Sequence, residues 1–118
     1  QKVAKAIAMA QLDRLVGQLP AGLETTLGER GVRLSGGQRQ RVAIARALYH
    51  DREFLVFDEA TSALDNETER SVVEAIGSLA GSKTMVVIAH RMSTMAACNR
   101  VVVMNSGRLE HVNASARA

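Results

Sequence analysis

At 118 residues, with 47% apolar side chains, the chain is long enough for a single core and ordinary in composition for a globular protein. Fifteen basic against twelve acidic residues leave a net charge of +3, scattered without a basic stripe, so charge makes no case for nucleic-acid binding and none is expected. One cysteine, Cys98, excludes an internal disulfide, no clustered His/Cys set suggests zinc, and no apolar run approaches the ~20 residues that cross a bilayer.

The chain starts at Gln1 directly in a helical pattern and is read as a portion of a longer protein. Leu12, Leu15, Val16 and Leu19 recur at three-and-four spacing, which predicts one amphipathic helix over residues 1–19, stopped by Pro20 and Gly22. Glycines 22, 28 and 31 mark 20–34 as a loop. Ser35 then stands where a helix cap belongs, and the Ala-rich run to Tyr49 has high helix propensity.

Phe54–Phe57 is an uninterrupted apolar run, the pattern of a strand covered on both faces. Val72, Val73, Ile76 and Leu79 predict a helix; Met85–Ala89 and Val101–Met104 predict two more strands. Asn105, Ser106 and Gly107 form a turn leading into a terminal hairpin strand, 108–112. Alternating strand and helix predict an α/β fold with a largely parallel sheet.

Ligands of open α/β sheets sit beyond the carboxyl ends of the strands, and Asp58 and Glu59 end the first one. Mg²⁺ takes one or two carboxylates with phosphate oxygens and water, so Asp58 suits it, while Glu59 could polarise an attacking water. Two solvated acids at a strand end are the plain alternative. His90, just past Met85–Ala89, shares that edge and could donate to a phosphate or orient the water; a polar strand end is again the plain reading. In Leu34-Ser35-Gly36-Gly37-Gln38, glycines open a helix whose first N–H groups lack internal partners and whose dipole favours anions, although Ser-Gly-Gly alone fits a simple capped helix. Asp65 is placed to cap the helix beginning near Asn66, and Cys98 is read as a packed side chain in a reducing compartment.

Taken together, LSGGQ at 34–38, FLVFDE at 54–59, ATSALD at 60–65 and AHR at 89–91 resemble, in order, the signature, Walker B, D-loop and H-loop of the ABC ATPase family. The resemblance implies a partial P-loop NTPase sheet of RecA-like type with part of the helical signature subdomain. It divides the chain into 1–49, the helical part with the signature, 50–112, the core part, and a tail at 113–118. It implies that Asp58 organises Mg²⁺ through water, Glu59 activates the hydrolytic water, and His90 contacts the γ-phosphate of the chain's own ATP. Ser35, Gly36, Gly37 and Gln38 would face the ATP of an opposite subunit, with Asp65 along the dimer interface. A second ABC ATPase domain, identical or paralogous, and a transmembrane domain are the implied partners, at the cytoplasmic face of a membrane. TTLGERG at 25–31 resembles the loop that in exporters communicates with the membrane domain, which favours an exporter.

No G-x-x-G-x-G-K-[ST] phosphate loop occurs in the 118 residues, and neither an adenine-stacking aromatic nor a Q-loop is identifiable. Arg52 and Glu53 stand where relatives often carry proline, and Asn99 where exporters often carry aspartate. The chain alone is therefore expected not to hydrolyse ATP. The competing reading is a soluble ABC-type ATPase of DNA repair, chromosome structure or translation; those more often carry an acid at the position of Gln38.

Overall fold

The computed structural model describes residues 1–96 and 98–112, the last two by backbone alone; the expected tail at 113–118 lies outside the described residues. In chain order the elements are α1 (Lys2–Met9), α2 (Asp13–Gln18), a 3-10 turn (Gly22–Glu24), α3 (Gly36–Tyr49), β1 (Phe54–Asp58), α4 (Asn66–Gly77), β2 (Thr84–Ile88), α5 (Met92–Met95), β3 (Val101–Asn105) and β4 (Arg108–Val112).

The expected single helix over 1–19 is two helices. Gln11 takes φ +56°, and the Leu12 and Gln11 amides bond back to the Ile7 and Ala8 carbonyls at 3.0 Å each. This is a Schellman stop, with Gln in the left-handed position usually held by glycine. The break lets Leu12 and Leu15 turn inward, where both are buried beside Ala6 and Ala10. α2 ends at Gln18 because Leu19, preceding Pro20, is extended. Within the expected loop, the 3-10 turn and a bridge between Leu27 and Val32 add local order.

β1 and β2 pair in parallel, Phe54 opposite Thr84 through Asp58 opposite Ile88, with α4 as the crossover between them. α4 buries Val72 and Ile76 in the core that also holds Leu55, Phe57, Leu64 and Ile44. The expectation that β1 is covered on both faces is not met among the described residues. Leu55 and Phe57 point into the core, whereas Phe54 and Val56 on the opposite face are 57% and 56% exposed. Val86 and Ile88 of β2 are exposed as well. The residues are apolar on both sides, but one side has no covering element among the described residues.

β3 does not extend the parallel pair. It forms a separate antiparallel hairpin with β4, Asn105 opposite Arg108. Ser106 at φ +48° and Gly107 at φ +76° make the two-residue turn, in the left-handed conformation that matches strand twist.

Candidate functional site

The signature segment begins α3 by local chemistry. Ser35 Oγ accepts from the Gln38 amide at 3.2 Å and Gln38 Oε1 accepts from the Ser35 amide at 2.8 Å, a reciprocal capping box. Gln38's carbonyl oxygen is thus turned back onto its own helix end. The Ser35 hydroxyl proton and the Gly36 and Gly37 amides are left for an acceptor in front of the helix. Gly37 also has a packing reason to be glycine: a Cβ there would lie 2.9 Å from the Ala63 carbonyl oxygen and 3.4 Å from Leu64 Cδ2. Residues 35–38, Arg41 and the 63–65 segment line one open depression of about 460 Å³.

Three consecutive side chains of α3 fasten this end to its surroundings. Arg39 Nη1 donates to the Leu34 carbonyl at 2.7 Å, and Arg41 Nη1 to the Gln11 carbonyl at 2.6 Å. Between them, Gln40 spends its whole amide on the segment after β1. Its Nε2 donates to Ser62 Oγ at 2.8 Å and to the Glu59 carbonyl at 3.3 Å, while Oε1 accepts from the Ala63 amide at 2.9 Å. Gln40 was invisible as a site residue in the sequence, where it is one polar position on a polar helix face.

Beyond β1 the backbone turns sharply. Glu59 adopts φ +46°, a left-handed conformation that costs a non-glycine residue ~1–2 kcal/mol. It is held there by its amide, which donates to the Ile88 carbonyl at 2.8 Å, and by Gln40 on its carbonyl. The turn brings the Glu59 carboxylate to His90: Oε1 lies 2.8 Å from Nε2. Two residues singled out on separate strands are therefore neighbours at one sheet edge, with Asp58 at the end of β1 beside them. His90 stands two residues past β2, because β2 ends at Ile88 rather than Ala89. The His90 and Glu59 side chains are 85% and 47% exposed, so their attraction alone contributes no more than ~1 kcal/mol.

Asp65 caps α4, its Oδ1 accepting from the Thr68 amide at 3.0 Å. That hydrogen bond holds the carboxyl below its ordinary range. Cys98 is half-buried, its Sγ 3.8 Å from the Thr94 carbonyl, and burial pushes its thiol up; it is packing, remote in role from the carboxylates.

A second unanticipated group is Glu69, a charged side chain inside the protein at 4% exposure. Its carboxylate receives Thr61, Thr94 and Arg91.

The family model described as ABC transporter matches residues 2–62. The ATP-dependent lipid A-core flippase of Cupriavidus metallidurans is 54% identical over 108 residues, 92% of this chain and 18% of the flippase. The heterocyst differentiation ATP-binding protein HepA of Nostoc sp. is 54% identical over 101 residues, 86% of this chain and 17% of that protein. A solved structure of a bacterial Atm1-family ABC exporter with ATP bound superposes with a TM-score of 0.87 at 41% identity, covering 97% of this chain and 20% of the exporter chain. The chain thus spans about a fifth of the length of the relatives it matches. A chain with a glycine-rich helix start, and with two acids and a histidine at one edge of a parallel strand pair, matches over half its length a single family model: the chain belongs to the ABC transporter family.

Proposed function

We propose that this chain is the C-terminal portion of the ATP-hydrolysing domain of an ABC exporter, holding parts of two different nucleotide half-sites. The observation that carries the reading is the 2.8 Å approach of Glu59 to His90 at the carboxyl ends of two parallel strands. A carboxylate held there can take a proton from a water attacking a terminal phosphate, and a positioned base of this kind supplies ~10² to 10⁴ in rate. The imidazole, hydrogen-bonded to the base, sits where it can orient that base and contact the phosphate.

Asp58 fits Mg²⁺ as a single exposed carboxylate at a strand end. Such an ion takes most of its ligands from phosphate oxygens and water, and when bound it neutralises phosphate charge. The remaining residues face elsewhere. Ser35, Gly36, Gly37 and Gln38 form a helix start suited to phosphate oxygens, and they share their depression with Asp65. We assign them to the ATP held by an opposite ATPase domain, identical or paralogous, with Asp65 along the contact between the two. The 25–31 loop is assigned to the junction with a transmembrane domain, at the cytoplasmic face of the membrane. Relatives named lipid A-core flippases and a neighbour named an exporter support export over the soluble repair or translation class. Residues 1–49 are read as the helical signature part and 50–112 as core.

None of the described residues forms a phosphate loop, so ATP hydrolysis belongs to the complete transporter and residues 1–118 alone are expected to show none. The test is Glu59→Gln in the complete transporter. ATP binding kept with turnover lost by about 10² or more supports the base assignment. Lost binding, or turnover unchanged, refutes it.

A further inference from the structure

The contact between Glu59 and His90 is exposed and holds weakly by itself, yet water activation depends on geometry kept to a fraction of an ångström. Something stiffer has to set the two segments relative to each other. The Glu59 amide bond to Ile88 ties that backbone to the end of β2; it stops two residues short of His90, whose position also depends on how the segment past the strand is held.

The other fixture is the carboxylate of Glu69, one turn into α4. Its side chain is 5% exposed, and each oxygen is used. Oε1 accepts from the Thr61 and Thr94 hydroxyls, both at 3.2 Å. Oε2 pairs with Arg91 Nη1. Thr61 lies two residues after Glu59, Arg91 is the residue after His90, and Thr94 is in the short α5 that follows. Thr61 and Thr94 are themselves buried. A carboxylate taken out of water is strongly destabilising unless its acceptors are filled, so all three partners are held to it, and through them both site-bearing segments are held to α4.

We propose that Glu69 is the positioning residue that sets Glu59 and His90 at reacting distance, clamping Thr61 on one side and Arg91 with Thr94 on the other. The proposal rests on the reading of Glu59 and His90 as the hydrolytic pair. Glu69 touches neither of them and is no part of the chemistry. Its loss lowers the rate of the chemical step far more than it weakens nucleotide binding, to which His90 adds one contact among many.

The experiment compares the complete transporter as wild type, Glu59→Gln, Glu69→Gln, Arg91→Gln and the Glu69→Gln/Arg91→Gln double variant, each measured for kcat, ATP KM and binding of a non-hydrolysable ATP analogue. Glu69→Gln keeps an acceptor for the two hydroxyls but gives up the ion pair. The expected result is a kcat about 10 to 100-fold lower, the cost of a misplaced reacting group, with analogue affinity within about twofold of wild type. The double variant is expected to be no slower than the worse single variant, because both changes release one clamp. Wild-type kcat in Glu69→Gln beside an inactive Glu59→Gln overturns the positioning role alone. An equal loss of kcat and analogue binding also overturns it, since that is the mark of general disruption. If wild type shows no turnover, or Glu59→Gln turns over normally, the hydrolytic reading falls and this proposal with it. Should Glu69→Gln fail to fold, Thr94→Val removes one hydroxyl and leaves the ion pair; it is expected to lower kcat with binding kept, and unchanged kcat overturns the proposal.

Discussion

Adding a single methyl group at Gly37 tests how the signature end of α3 is seated. The Cβ of Gly37→Ala would lie 2.9 Å from the Ala63 carbonyl oxygen, where ordinary contact begins at 3.4 Å, and would just touch Leu64 Cδ2. The obstacle is backbone, and it is tied on both sides, by the Leu64 amide to the Thr61 carbonyl in the same peptide group and by the Ala63 amide to Gln40 in the preceding one, so it cannot swing away as a surface side chain would. Overpacking of this kind costs ~1–3 kcal/mol, against up to ~1 kcal/mol gained by replacing glycine with alanine in a helix. The net loss is about 1 kcal/mol, or a thermal midpoint lowered by about 4 °C for a domain of this size. Gly36→Ala is the internal control: its Cβ would meet Ala63 Cβ at a comfortable 3.6 Å, so it keeps part of the propensity gain and meets no clash. Thermal unfolding followed by circular dichroism is expected to rank Gly36→Ala at or above wild type, and Gly37→Ala below it. A Gly37→Ala midpoint equal to or above that of Gly36→Ala would refute the close packing of the helix start on the segment after β1.

Gln40→Ala removes three hydrogen bonds to residues 59–63; native-state hydrogen exchange at the Ala63 amide is expected to speed up by about 10-fold, since a net hydrogen bond contributes ~0.5–1.5 kcal/mol, and an unchanged rate would mean that Gln40 does not hold this segment. Asp65 and Asp51 both have carboxyls below the ordinary range, Asp65 through the Thr68 amide and Asp51 through its hydrogen bond to Lys83. A depressed folded-state value means stabilisation that is fully present above the unfolded value and disappears as pH falls through and below about 4. Thermal midpoints measured from neutral to acidic pH are expected to decline less steeply below that point in Asp65→Asn than in wild type; identical slopes would remove Asp65 from the account.

Much of this architecture is legible because its determinants are local. Ser35 followed three residues later by Gln38 specifies the start of α3 through bonds that span one turn, and Ser106-Gly107 specifies its hairpin turn in the same way. Asp65 reads as a cap and proves to be one. What stayed hidden depends on distant partners or on uncommon residues in common roles. The break between α1 and α2 uses Gln11 in a left-handed position, where no glycine marks it. The exposed face carrying Phe54 and Val56 is apolar in sequence, and nothing in those residues tells whether this chain or another segment covers them. β3 has the composition of a sheet strand, but its partner is chosen by the adjacent turn rather than by β2. Glu69 reads as an ordinary acid near a helix start, where the dipole favours it; only Thr61, Arg91 and Thr94, up to 25 residues away, make it a buried junction. For the site, the four motif segments point to the residues, and the fold adds which of them meet: Glu59 with His90, and the 35–38 helix start with 63–65.

The division of those residues between two nucleotides is the central claim, and it has a direct measurement. Two copies of the complete transporter subunit, joined in one polypeptide, are tested for ATP hydrolysis in a single turnover. One version carries Glu59→Gln in the first copy and Ser35→Arg in the second; the other carries both substitutions in the same copy. If Glu59 and Ser35 serve different nucleotides, splitting the substitutions places both in one composite site and leaves the other intact, so the split version hydrolyses ATP and the same-copy version does not. The opposite pattern, hydrolysis by the same-copy version and none by the split one, would contradict the account.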